Sequence, residues 1–236
     1  MNNFFATPEG AWGDGSVHLT TAGLIIMIAA FLLLIVVSLA VRHKKKDSVS
    51  ESATASKKAI TTKQLVFSAV AMALAVVTSM IKFANLPMGG SVTLFSMLFI
   101  ALIGYWYGPS IGLMTGFAYG LLQFIMEPIF YTIPQMLLDY PLAFGALGLS
   151  GFFYKKKWGL QVGYVVGVIG RFICSTISGV VFFGSYAPEG TPALVYSLTY
   201  QASYIVPEAV VTLILISLPP VASALAHVKK MARAEL

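Results

Sequence analysis

Four ionisable residues stand inside stretches of sequence that are otherwise apolar: Glu127, Asp139, Arg171 and Glu208. A charge in hydrocarbon is costly unless it is paired or used, so each is a candidate for binding or for holding helices together. Gln135 lies four residues before Asp139, and Tyr196, Tyr200 and Tyr204 recur every four residues around Gln201. On a helix such spacing puts each set on one face. One carboxylate, two amides and several aromatic rings suit a small, flat, cationic or hydrogen-bonding solute, held by charge pairing, stacking and cation–π attraction. The same residues could instead form an interhelical hydrogen-bond network with no ligand.

Chemistry of other kinds lacks its machinery. The chain has no Gly-x-x-x-x-Gly-Lys-Ser/Thr loop for nucleotide phosphates and no His-Glu-x-x-His. Its histidines, His18, His43 and His227, fall outside the core spans, so no metal site is expected. Ser175 has no His or Lys close in sequence to activate it, and the lone Cys174 can form no intrachain disulfide and reads as packing. We therefore expect a protein that is not an enzyme and carries no cofactor of its own.

The elements that must position these residues are membrane spans. Hydrophobic residues make up 58% of the chain and charged ones 10%, with mean hydropathy +0.84, which places it among integral membrane proteins. The formal charge of +6 does not point to nucleic acid, because the basic residues cluster beside apolar segments, where they act as topology signals. A first span covers about 22–41. It is followed at once by Arg42, His43, Lys44, Lys45 and Lys46 and preceded by a segment with Glu9 and Asp14 but no Lys or Arg, so it reads as a retained anchor rather than a signal peptide. Three regions follow: 1–41 as an extracellular N-terminus and transmembrane anchor, 42–62 as a basic cytoplasmic linker, and 63–236 as a six-helix membrane domain. The fold class expected is an all-α integral membrane protein, a six-helix bundle plus one extra N-terminal helix.

Six core spans are expected at about 64–82, 91–107, 109–126, 132–153, 159–183 and 193–226, the last long enough to tilt or protrude. Seven crossings with the N-terminus outside then put Lys63, Lys155–Lys157, Lys229, Lys230 and Arg233 on the cytoplasmic side with the first basic cluster. Of the 15 Lys and Arg, Lys82 and Arg171 alone are excepted. Gly108, Gly112, Gly116 and Gly120, and again Gly159, Gly163 and Gly167, recur every four residues and predict close helix packing. Pro134, Pro141 and Pro207 interrupt helices and predict a polar cavity nearby.

Depth locates that cavity. At about 1.5 Å per residue, Asp139 lies about 10 Å inward from the outer end of its helix, Ser175 about 12 Å and Gln201 about 12 Å, so three polar side chains from three helices share a level. Arg171, at about 18 Å, and Glu208, at about 22 Å, can pair below it, an ion pair holding two helices together being favoured over a proton relay, and such a pair would leave Asp139 without a counter-charge. Glu127 is expected at the outer interface, in water. The loop Asn85-Leu-Pro-Met-Gly-Gly-Ser91 on the same side is a candidate lid.

Several separated motifs carry a resemblance. Pro87-Met-Gly-Gly-Ser-Val-Thr-Leu94, Gly112-Leu-Met-Thr-Gly-Phe-Ala-Tyr-Gly-Leu-Leu-Gln123, Leu137-Leu-Asp-Tyr-Pro-Leu-Ala-Phe144, Ser178-Gly-Val-Val-Phe-Phe-Gly-Ser-Tyr-Ala-Pro-Glu-Gly-Thr-Pro192 and Tyr196-Ser-Leu-Thr-Tyr200 occur in order. Over about 64–222 the chain resembles the thiamine-binding S components of energy-coupling-factor vitamin transporters. The resemblance implies six helices, a vitamin site near the extracellular face, and association with a transmembrane coupling subunit and two ATPases that supply the ATP-driven step. The binding subunit would topple in the bilayer to deliver its load. It also implies roles: Asp139 as the carboxylate that pairs with the cationic vitamin, Tyr140 as the aromatic beside it, Tyr119 as an aromatic site on the third helix, Phe183 as a stacking ring and Tyr196 as a hydrogen-bonding group. Gln135, Ser175 and Gln201 complete the expected substrate site. Ala69 and Ala73 match the small-x-x-x-small pair on which the coupling subunit packs.

Ser175 stands where these proteins usually have His, Gln201 where they have Asn, and Glu208 where a small or polar residue is expected. Three function classes stay open: an S component for thiamine or a precursor, an S component for another small vitamin-like solute, and a non-transport membrane partner or enzyme.

Overall fold

In a computed structural model of the chain, the described residues are 6–8, 17–19, 60–86 and 90–234. They belong to two compact units, Met1–Ile60 and Thr61–Leu236. In the first, β1 (Ala6–Pro8) pairs antiparallel with β2 (Val17–Leu19), Ala6 opposite Leu19. The expected anchor at 22–41 and the basic cluster after it lie outside the described residues.

The second unit opens with α1 (Thr62–Ser79). Thr61 caps it: the Gln64 backbone N–H donates to Thr61 Oγ1 at 3.3 Å, and the Thr61 N–H donates to Gln64 Oε1 at 3.0 Å. This reciprocal box satisfies two of the donors that every helix start leaves open. Two short strands follow, β3 (Lys82–Asn85) antiparallel to β4 (Ser91–Thr93). The remaining helices are α2 (Ser96–Tyr107), α3 (Pro109–Met126), α4 (Ile133–Phe153), α5 (Gly159–Phe182), α6 (Ala193–Ser217) and α7 (Pro219–Arg233). Five of them, α1 and α3 to α6, are long and apolar enough to cross a membrane, and α2 is a shorter apolar helix. The unit is a helical multi-pass membrane bundle.

Two expected spans are corrected. The segment 91–107 is not one helix: β4 occupies its start, Phe95 turns the chain in the left-handed region (φ 58°), and only Ser96–Tyr107 is helical. Its 12 residues reach about 18 Å, short of a bilayer's hydrocarbon core. Among the described helices it is also the most enclosed, with Met97, Ile100, Ala101 and Ile103 fully buried. The span 193–226 ends earlier than expected, because Leu218 is extended (ψ 129°) before Pro219 and Pro220, and the chain restarts as α7. Proline at the first helical positions favours a new start over continuation.

The glycine stripes pack as expected except at Gly108, where a Cβ would meet nothing within 4 Å and the residue instead turns the chain between α2 and α3 at φ +97°. A Cβ on Gly148 would lie 2.2 Å from the backbone of Gly112 and Leu113, one on Gly116 would lie 2.5 Å from the Phe144 carbonyl oxygen, and one on Gly120 2.4 Å from that of Tyr140. On the other flank, Gly163 and Gly167 of α5 approach the backbone at Ser150 and Leu147. Thus α4 is clasped between α3 and α5 with backbone against backbone. Ser150, fully buried, ties it to α2 by donating to the Ala101 carbonyl at 2.7 Å.

Within α4 the winding is uneven. Residues Ile133–Leu137 are α-helical, Leu138–Leu142 form a wider π-turn around Pro141, and Ala146–Phe153 tighten into 3-10 geometry. A π-turn accommodates a proline ring that would clash in a regular helix, and it re-aims the side chains it carries. Those side chains are Asp139 and Tyr140.

Candidate functional site

A cavity lies where the irregular elements of the bundle meet. It has a volume of about 170 Å³ and is lined from α3 and α4 by Tyr119, Gln123, Asp139, Tyr140 and Phe144, from α5 by Arg171, Ser175 and Phe183 at its end, and from α6 by Tyr196, Gln201 and Tyr204. Lys82 of β3, Gly90 just before β4, Thr93 and Ser96 add to the wall, as does Tyr200 of α6. Seven of the eight expected substrate-site residues line this cavity. The eighth, Gln135, stands behind it.

Asp139 is brought there by the π-turn and held by Gln135, whose Nε2 donates to Asp139 Oδ2 at 2.7 Å. The same amide donates to the Ile129 carbonyl at 3.1 Å, and Gln135 Oε1 accepts from the Tyr131 N–H at 3.1 Å. Gln135 is fully buried and orients the carboxylate rather than facing the cavity. Among the described residues no Lys, Arg or His forms an ion pair with Asp139. The carboxylate therefore keeps acceptor capacity directed at the open volume.

The aromatic residues divide into fixed and facing groups. Tyr140 donates from its hydroxyl to the Glu127 carbonyl at 2.8 Å and accepts from the Ile129 N–H at 2.9 Å, so its polar tip secures the turn after α3 while its body borders the cavity. Tyr119 is fully buried, edge-on to Phe144 with centroids 5.0 Å apart, and its hydroxyl donates to the Ala75 carbonyl at 3.2 Å. Gln123 donates to the Tyr119 hydroxyl and, at 3.1 Å, to Ser79 Oγ. Phe183 meets Tyr131 edge-on at 5.2 Å. Tyr196, Tyr200 and Tyr204 run in a row along α6, the first pair tilted with centroids 6.2 Å apart and the second edge-on at 5.8 Å.

Ser175 and Gln201 are joined to each other. Gln201 Nε2 donates to the Ser175 carbonyl at 3.1 Å, and Gln201 Oε1 accepts from the Tyr204 hydroxyl. One hydrogen and one lone pair of the amide stay uncommitted to these bonds. Helix α6 approaches α5 closely here because residue 179 is glycine, where a Cβ would meet Ser197 Oγ at 2.2 Å.

The expected pairing of Arg171 with Glu208 is corrected. Arg171 lies with its guanidinium 4.3 Å from the centroid of the Phe144 ring and lines the cavity, whereas Glu208 points to the start of α2 and accepts from Thr93, Ser96 and the Met97 N–H. Depth along straight helices placed the two charges near one another, but the rotation of each helix decides what they face. Glu127 is exposed as expected, yet it is paired: Lys82 Nζ lies 2.5 Å from its Oε1. That pair joins β3 to the end of α3 at the cavity rim. Residues 87–89 of the proposed lid lie outside the described residues.

Sequence reasoning left Arg171, Thr93, Ser96, Ser79, Gln123 and Lys82 out of the site. Arg171 and Lys82 carried a usable signal, since they are the two basic residues that break the sidedness of the others. The hydroxyls of Ser79, Thr93 and Ser96 carried none, because Ser and Thr are common at helix ends.

Residues 65–227 match the family model described as thiamine transporter protein (Thia_YuaJ). The thiamine transporter ThiT of Bacillus subtilis is 41% identical over 167 residues, covering 65% of this chain and 85% of that protein. ThiT of Lacticaseibacillus paracasei is 31% identical over 118 residues, 43% of this chain and 59% of that one. A solved structure of ThiT from Listeria monocytogenes has the same fold, with a TM-score of 0.51 at 22% identity over 67% of this chain and 93% of its own.

Proposed function

From the premise that the chain belongs to the thiamine transporter protein family, a family of transporters rather than enzymes, we propose that its cavity captures thiamine or a thiamine precursor for import, as the S component of an energy-coupling-factor transporter. The observation that carries this reading is Asp139: a carboxylate on the cavity wall, oriented by a buried amide and without an ion-pair partner among the described residues. A cationic thiazolium ring would supply the missing counter-charge. In a low-dielectric site that pairing is worth far more than in water.

The other roles follow from position. Tyr196, Tyr200 and Phe183 offer ring faces and edges to a flat heteroaromatic solute, worth about 0.5–1.5 kcal/mol per well-placed aromatic contact. Tyr119 and Tyr140 shape the inner wall, their hydroxyls already engaged. Ser175 leaves room where a larger ring would stand, and Gln201 presents what remains of its amide. No step of this binding needs a cofactor. The energy would come from outside the chain, from a transmembrane coupling subunit and two ATPases. Ala69 and Ala73 support that reading, because both lie on the exposed apolar face of α1, beside Leu65, Val66, Val70 and Val77. Small residues there let another membrane helix approach closely.

Calorimetric titration of detergent-purified protein with thiamine tests the binding step. Saturable, one-to-one binding that is weakened roughly ten- to a hundredfold in Asp139→Asn is expected; equal affinity in the two proteins would show that the charge pair is not made.

A further inference from the structure

We propose that Glu208 is a positioning residue for the binding cavity: from α6 it caps the start of α2 and thereby fixes Thr93 and Ser96 on the cavity wall. The local chain has no cap of its own. Phe95, at the N-cap position of α2, is in the left-handed region and offers no side-chain acceptor to the first N–H groups. A helix start buried in a membrane bundle without acceptors is costly. Glu208, 5% exposed, supplies them: its Oε1 accepts from the Met97 N–H at 3.2 Å and from Ser96 Oγ at 3.1 Å, and its Oε2 accepts from Thr93 Oγ1 at 2.6 Å. A carboxylate at the positive end of a helix is also favoured by the backbone dipoles.

The bonds bear on the cavity because their donors line it. Thr93 and Ser96 form part of its wall, and their hydroxyls are 2.8 Å from each other. Helix α6 holds this strand at a second level, where the Tyr200 hydroxyl accepts from the Gly90 N–H at 2.9 Å. Tyr200 and Glu208 are about 12 Å apart along the helix, and Gly90 and Thr93 about 10 Å apart along an extended chain, so the two attachments match in reach. Together they lay β4 along α6, which also carries Tyr196, Gln201 and Tyr204. With three donors on its carboxylate and Arg171 stacked on Phe144, Glu208 acts as an acceptor and not as half of an ion pair.

The role concerns the cavity's shape and so rests in part on thiamine being the ligand; the experiment therefore pairs a ligand readout with one that needs no ligand. In purified protein, Glu208→Ala, Glu208→Gln and the wild type are compared by thiamine titration, thermal unfolding and amide hydrogen exchange at Met97. Glu208→Ala is expected to unfold cooperatively, to bind thiamine at least about tenfold more weakly, and to exchange the Met97 amide faster. Glu208→Gln keeps an acceptor for Met97 and Ser96 and can donate to Thr93 Oγ1, so it should restore exchange protection and bring affinity within about fivefold of the wild type. A Gln variant as impaired as Ala would assign Glu208 a charge role and overturn the proposal, as would an Ala variant with wild-type affinity and exchange. If Glu208→Ala does not fold, Thr93→Val with Ser96→Ala removes two donors and should weaken binding by about tenfold; unchanged affinity would also overturn it. Failure of the wild type to bind thiamine would count against the proposed ligand, and the exchange comparison would still decide the role of Glu208.

Discussion

Asp139 concentrates the chemistry of the site because it is held by the Gln135 amide, where an ion pair would have closed it. Removing the charge while keeping the shape should cost the ligand one charge-assisted contact in a low-dielectric site, about 1.5–3 kcal/mol. Asp139→Asn is thus expected to weaken thiamine binding by roughly ten- to a hundredfold with unchanged thermal unfolding, read by calorimetry alongside a melting curve. Ser175 and Gln201 set the fit instead of the charge. If the cavity is compensated for thiamine around these two residues, Ser175→His with Gln201→Asn should hold or improve affinity, by about 1–3 kcal/mol if a stacking or polar contact is gained. A double variant that loses tight binding would show that the Gln201 bridge from the Ser175 carbonyl to Tyr204 is needed as it stands. At this scale the sequence was readable where a polar type interrupts an apolar run: Asp139, Gln135 and the tyrosines of α6 stand together as their spacing implied. What Arg171 and Glu208 face was not readable, since a residue's depth follows from counting but its direction follows from how each helix is rotated.

The helices reach the cavity through their irregularities. The π-turn of α4 at Pro141 aims Asp139, the left-handed Phe95 lets β4 run into α2, and the break at Leu218 frees α7. Hydropathy blurs these points, because an apolar strand, a left-handed turn and a short buried helix look alike in a run such as 91–107. The glycine stripes were legible for a simpler reason, that four-residue spacing of glycine usually serves close approach, although Gly108 at the head of one stripe serves a turn instead. They make a sharp prediction. A valine at Gly148 would put its Cβ about where the backbone of Gly112 and Leu113 now lies, so Gly148→Val should destabilise the bundle by well over the 1–3 kcal/mol typical of overpacking, seen as loss of cooperative unfolding in detergent. Gly108, whose Cβ would meet open space, has φ +97° with ψ 176°, a region that glycine alone occupies readily, so Gly108→Ala should lower the thermal unfolding midpoint through strain rather than volume, at a cost of about 1–3 kcal/mol.

In the membrane unit as a whole, the basic residues that signalled topology gather at one end. Lys63 donates to the Ala234 carbonyl at 2.9 Å, Lys229 to that of Tyr154 at 2.8 Å while lying over the Tyr105 ring, and Tyr107 donates to the Ala232 carbonyl at 3.2 Å. Helix α7 is thereby laid across the ends of α1, α2 and α4, far along the chain from the cavity residues of α6. The exposed apolar face of α1 is where we propose that the coupling subunit packs. Trp at both Ala69 and Ala73 should abolish thiamine uptake into proteoliposomes that contain the coupling subunit and ATPases, and spare thiamine binding by the isolated protein; full uptake by that variant would remove α1 from the coupling surface. The claim on which the rest depends is that the cavity holds thiamine through Asp139, and mass spectrometry of small molecules released from detergent-purified protein tests it most directly. Thiamine or a thiamine precursor is expected from the wild type, and at least about tenfold less of it from Asp139→Asn purified in parallel. Release of an uncharged or anionic solute, or the same thiamine from both proteins, would contradict that claim.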